Sequence, residues 1–181
     1  SYTNGHNSGT ISTSTLFKIT NSNTSVLLKV LFDTDITITD NWYIICGSSN
    51  IQFGSTSLKS DGTRPVITID GVSNYSGFIQ NGTSGTNGYT DVYVYNLLVS
   101  SVNSTLAVNA GWIGQAYFCS FITNVVGPQR NYIVNCSSIG DINGNACGGI
   151  VGYSGGSNLD NSITIDVILY IIGCSSTGNM V

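Results

Sequence analysis

Charge is nearly missing from this chain: Asp, Lys and Arg together make up 8% of its 181 residues, against about 25% in an ordinary soluble domain. The nine acids are all Asp, with no Glu, and there is a single histidine, His6. These absences exclude much. Five scattered cations, Lys18, Lys29, Lys59, Arg64 and Arg130, cannot form the basic patch that phosphate backbones require, and a net charge of −4 opposes it further, so no nucleic-acid partner is expected. One histidine near the start of the chain leaves no His-based triad or metal site. No apolar run approaches the roughly 18 residues of a membrane-spanning helix, so no membrane span is expected. No charged and hydrophobic leader opens the chain, so a signal peptide is expected to be absent or already removed. The strong helix formers Glu, Lys, Ala and Gln are scarce, which argues against a helical fold.

Cysteine is present but in the wrong pattern for a scaffold. The five, at 46, 119, 136, 147 and 174, are odd in number and contain no C-x-x-C pair, which weakens a disulfide framework and a zinc site alike. They are expected to be free thiols acting as small buried hydrophobes. Five N-x-S/T sequons, at Asn23, Asn74, Asn81, Asn103 and Asn135, are about what so Asn-, Ser- and Thr-rich a chain yields by chance, and carry no signal.

What is there reads as β structure. Short apolar or alternating runs recur: ITIT at 36–39, WYIIC at 42–46, IQF at 51–53, VITID at 66–70, GFIQ at 77–80 and VYVYNLLV at 92–99. AYFCSFI at 116–122, NYIVNC at 131–136 and ITIDVILYIIGC at 163–174 continue the series. Turn dipeptides separate many of them: Asp61-Gly62, Asp70-Gly71, Asn81-Gly82, Asn87-Gly88 and Asn143-Gly144. The chain is therefore expected to be all-β.

A near-repeat narrows the architecture. IVNCSSIGDI at 133–142 and IIGCSSTGNM at 171–180 match at Ile, Cys, Ser, Ser and Gly, a period suited to a stacked array. This predicts a right-handed parallel β-helix, a solenoid in which equivalent side chains of successive coils lie about 4.8 Å apart. Cys136 and Cys174 should then share an interior position as a thiol ladder rather than a disulfide. Gly140, Gly148, Gly149 and Gly152 should give positive φ at corners and close backbone approach, with Ile150 and Val151 adding apolar bulk. Asn96 and Asn135, which follow similar strands, either stack their amides in the interior or simply end strands at the surface.

The segments NCSSIGDINGNACGGIVGYSGG and GCSSTGN resemble the GLUG-type repeat. RPVITIDGVSNYSGFIQNGTSGTNGYTDVYVYNLLV is similar to early coils of right-handed β-helix proteins of the pectate-lyase-like class. ICGSSNIQFGS, GWIGQAYF and the CSS-x-G repeats resemble long repeat proteins of giant DNA viruses. The resemblance implies an N-terminal segment or cap over 1–30, β-helix coils over 31–130, and GLUG-like coils over 131–181 that continue the same solenoid. Ser157 to Ile172 is longer and richer in strand than a usual repeat linker. The chain stops at Val181, where another Gly-Gly-Ile-Val-Gly is expected, so truncation of a longer chain is expected too.

For chemistry the sequence offers little. In DTDITITD, Asp33 and Asp35 would alternate onto one face of a strand with Asp40 following, enough to hold a hard cation or form an acid/base pair; solvated strand-end residues are the plainer reading. Arg64 and Arg130 could serve a lyase as base or charge clamp, or mark loops at the solenoid edge. Trp42, Trp112 and some of the ten tyrosines could form a sugar-stacking face or pack inside. GYSGG at 152–156 has the Gly-x-Ser-x-Gly spacing of a nucleophile elbow, but the chain's single histidine, His6, is the only imidazole base available to it, and the segment lacks the Lys-Ser/Thr of a phosphate loop, so its glycines read as corners. No catalytic residue, metal ligand or cofactor site is therefore assigned, and the expectation is a non-enzymatic structural or attachment protein. It would be extracellular or on a virion surface, self-associating into an oligomer or filament, with host-surface glycans as possible partners. The alternative is a carbohydrate-binding or polysaccharide-cleaving β-helix module.

Overall fold

The structure, a computed structural model, describes residues 17–55, 59, 61–122, 125, 127–159 and 166–181. The described residues are all-β, with no helix and with every named strand pair parallel. A first sheet joins β1 (Phe17–Ile19), β4 (Ile44–Cys46) and β7 (Ile79–Gln80). A second sheet has the order β12 (Val167–Ile172), β10 (Gln129–Val134), β8 (Val92–Tyr95), β5 (Ile51–Gly54) and β2 (Leu28–Leu31). The third runs β13 (Ser175–Thr177), β11 (Ser137–Ile139), β9 (Leu98–Val102), β6 (Val66–Asp70) and β3 (Ile36–Ile38).

The chain visits the sheets in the same order on each pass. Single parallel bridges, Ile79 to Gly114 and Gly114 to Val151, carry the line of the first sheet into the later passes. Pass length varies: Leu28 pairs with Ile51, but Ile51 with Val92. The last two passes agree with the sequence repeat. Ser137 pairs with Ser175 and Ser138 with Ser176, and their hydroxyls meet at 3.0 and 2.8 Å across an offset of 38.

Alternation places apolar side chains in shared columns. Ile67 and Val99 stack in the third sheet, and Val94 and Ile133 in the second, all at most 1% exposed. Trp42, Tyr75, Phe78, Trp112 and Phe118 fill the same core from the segments between strands. Burying each such side chain contributes about 1.5–3 kcal/mol.

The corner between the second and third sheets shows why the sequence turns there. VYVYNLLV is not one strand but two, β8 and β9, because Asn96 adopts φ 55°. Asn135 (φ 52°) and Gly173 (φ 61°) take the matching positions of the next two passes. Asn and Gly are the residues that visit this left-handed region at least cost. Asn96 donates its amide to the Ser55 carbonyl at 3.0 Å, while Asn135 is exposed. The interior amide stack is thus replaced by a corner role. The fully buried asparagines are others. Asn81 closes the loop to Tyr89, donating to its carbonyl and accepting its N–H at 3.0 and 2.7 Å, and Asn131 accepts the Val92 N–H at 2.8 Å.

Gly140, Gly148, Gly149 and Gly152 are not in the positive-φ region, which corrects half of what the motif suggests. Their role is close approach: a Cβ on Gly148 would lie 1.9 Å from the Val151 carbonyl oxygen, and one on Gly149 2.1 Å from the Ser176 hydroxyl. AYFCSFI departs further. It forms a tight turn with no strand, its apolar character spent on burying Phe118, Cys119 and Phe121.

Candidate functional site

The acidic candidates do not assemble. Asp33, Asp35 and Asp40 lie outside strands and are exposed, so the alternation that would put two carboxylates on one strand face does not operate. Asp35 instead holds the loop between β5 and β6: it accepts the Val66 N–H at 2.8 Å and the Lys59 ammonium at 3.0 and 3.1 Å. The Val66 hydrogen bond, then Lys59, hold its carboxyl below the usual range. Among the described residues no group of three or more His, Cys, Asp or Glu is placed to hold a metal ion. His6 lies outside the described residues.

The arginines are apart as well. Arg64, in the loop before β6, donates from Nη1 to the Asn135 carbonyl at 2.8 Å, a strap between residues 71 positions apart. Arg130 lies exposed on β10, where its backbone exchanges bonds with the Thr90 hydroxyl at 3.1 and 3.3 Å. Both tryptophans are in the core, Trp42 3% and Trp112 1% exposed, and neither can face a sugar. All five cysteines are free, and Cys136 and Cys174 follow one another in register, the Cys136 N–H donating to the Cys174 sulfur at 3.4 Å.

The feature the sequence reading passed over is on the outer face of the second sheet. Tyr93, Tyr132 and Tyr170 are register partners on β8, β10 and β12. Their rings stack at 5.1 Å and 7°, then at 4.9 Å and 9°, with Tyr95 beside Tyr93 at 6.2 Å. Burial, then the Asp91 carboxylate, push the Tyr93 phenol up. The signal was present: VYVY, NYIV and LYII each place Tyr second. Because ring faces are spent on one another, the ladder turns edges and hydroxyls outward, which suits cohesion between passes better than a flat sugar platform. Tyr132, stacked on both sides, is expected to cost about 3 kcal/mol on replacement by Ala, and Tyr170, stacked on one side, about half as much, as read by denaturant unfolding.

No helix among the described residues is long and apolar enough to cross a membrane. Comparison with protein-family models, curated proteins and solved structures found no match to this chain. What the geometry establishes is the class: an all-β protein of parallel sheets whose successive passes stack like residue on like.

Proposed function

We propose that the chain is a stretch of right-handed parallel β-helix, related to GLUG-type and pectate-lyase-like repeat proteins, with a non-enzymatic structural or attachment role on a virion or cell exterior. The observation that carries this reading is the in-register stacking of Tyr93, Tyr132 and Tyr170. Like-on-like ladders make a stiff, nearest-neighbour array. Four of the side chains that sequence offered for chemistry are meanwhile occupied otherwise: Asp35 in a loop clasp, Arg64 in a strap, Trp42 and Trp112 in the core.

Self-association into an oligomer or filament is part of the proposal. Light scattering of the purified chain over a range of concentrations tests this. A trimer or a growing filament is expected; a monomer at all concentrations would sink the assembly claim.

A second reading, carbohydrate binding, is favoured by one local feature, a neutral polar depression beside the first sheet. No feature among the described residues favours polysaccharide cleavage.

A further inference from the structure

That depression, about 240 Å³ in volume, is lined by Ser76, Gln80, Thr83, Ser84, Gln115 and Tyr117 among others, with no Asp, Lys or Arg in its wall. It is smaller than the 300–1,000 Å³ of a typical drug-sized site. Its size fits one sugar ring, and its composition rejects a charged ligand, whose desolvation nothing there would offset.

Two further observations point to a saccharide. First, the amides are set in a chain: Gln80 Nε2 donates to Gln115 Oε1 at 3.0 Å, and Gln115 Nε2 to the Gly77 carbonyl at 3.0 Å, with Gln115 6% exposed. A primary amide has two N–H donors and a carbonyl acceptor. Beyond these bonds each nitrogen keeps a second N–H and Gln80 keeps its Oε1, so neighbouring donors and an acceptor are held in fixed orientation. That is the pattern a pair of adjacent hydroxyls completes. Second, Tyr117 stands at φ 61° in a tight turn closed by the Phe118 N–H on the Gln115 carbonyl at 3.3 Å. The bridges Gly114 to Val151 and Phe121 to Asn158 align it with Ser154, at φ 54°, in the next pass. A bulky ring in this conformation is a real outlier, and such outliers gather at binding sites. The ring meets Tyr153 edge-on at 5.9 Å and 89°, and Tyr117 is among the residues that line the depression.

We propose that this depression binds one uncharged pyranose residue of a glycan, the Gln80–Gln115 amides taking its hydroxyls and Tyr117 its C–H face. The inference deepens the attachment reading and rests on it for its biological sense. The test is saturation-transfer NMR with titration on the full chain, using lactose, cellotetraose and maltotetraose as neutral probes and tetragalacturonate as the acidic one. Millimolar binding of at least one neutral probe is expected, with none of the acid. Tyr117→Asn is expected to keep or raise the melting temperature, since Asn accepts this conformation, yet to weaken binding at least tenfold. Gln80→Ala should weaken it similarly, and Tyr132→Phe should leave it unchanged. Silence of all three neutral probes, binding of the acid alone, or unchanged affinity in both Tyr117→Asn and Gln80→Ala would each overturn the proposal. Light scattering on the same samples separates the two readings: a chain that assembles but binds no sugar removes only this one, and a monomer that binds sugar removes only assembly.

Discussion

Raising the pH from 9 to 11 is expected to strip the protein of most of its stability. Burial pushes the Cys46 and Cys136 thiols from the ordinary 9.0 up to about 12, against the smaller opposing effect of hydrogen bonding. Cys119, wholly buried, moves well above 9.0 and the Tyr75 phenol well above 10.0 for the same reason. A group whose value is raised in the folded state keeps its proton there while the unfolded chain loses it. The native state then binds more protons, so the stabilisation is intact below pH 9 and is lost as pH climbs towards 12. The slope is about 1.4 kcal/mol per pH unit per thiol. The unfolded thiols are half ionised at pH 9, so over two units Cys46 and Cys136 alone remove about 4–5 kcal/mol, near the lower end of the ~5–15 kcal/mol that holds most domains folded, and Cys119 and Tyr75 act in the same direction. Urea midpoints at pH 7, 9, 10 and 11 measure this, and replacing Cys46 and Cys136 by Ala should flatten the decline at some cost at pH 7. A midpoint constant from pH 9 to 11 would mean that these thiols reach water. In the native protein at pH 8, iodoacetamide should find half-buried Cys147 and Cys174 well before the other three.

The alkaline liability and the architecture have one origin, which explains what could be read from sequence. A chain this poor in charge fills its interior columns with whatever is small and apolar, thiols included. CSS at 136–138 and 174–176 disclosed the register of the last two passes because both are built to one length. Earlier passes differ in length, so β1 and β2 carried no repeat and escaped notice, although FKI and LKVL are short apolar runs like the others. AYFCSFI misled for a physical reason. A short apolar run reports burial, and burial serves a turn whose side chains enter the core as well as it serves a strand. For the aspartates the plainer reading, solvated residues, agrees with their exposed positions, since period-two spacing means a shared face only where the backbone is extended, and 33–35 is not strand. The tyrosine ladder was legible in principle. Tyr93, Tyr132 and Tyr170 fall at nearly the same interval as the cysteines, but an aromatic next to a strand core reads as core until its alternation is followed outward.

Gly148→Ala is expected to destabilise the protein by about 3 kcal/mol or more, and the cost is steric rather than conformational. The added methyl would lie 1.9 Å from the Val151 carbonyl oxygen and 3.0 Å from its carbon. Both are backbone, so no side chain can rotate away, and overpacking of this kind costs typically 1–3 kcal/mol or more. To make room, the Val151 carbonyl must move, with loss of the Gly111 to Gly148 and Gly114 to Val151 bridges that tie the fourth pass to the fifth. Gly152→Ala meets the same obstacle, 2.1 Å from the Asn109 carbonyl oxygen. Two other glycines separate this mechanism from the familiar one. Gly62 has open space but φ +79°, so alanine there should cost about 1 kcal/mol in backbone strain alone. Gly85 has open space and an unremarkable φ, and alanine there should be neutral or stabilise by up to about 1 kcal/mol by restricting the unfolded chain. Denaturant unfolding of the four variants should therefore rank Gly148 and Gly152 far below wild type, Gly62 slightly below and Gly85 level or above. If Gly148→Ala matched wild type, the turn from Gly148 to Val151 would not close backbone on backbone, and if Gly152→Ala did, passes four and five would not meet there. The motif would then need an explanation other than close approach. If the ranking holds, glycine in this repeat is selected by close backbone approach, within one turn at Gly148 and between passes at Gly152, and the conformational role belongs to Asn96, Asn135 and Gly173 at the corner.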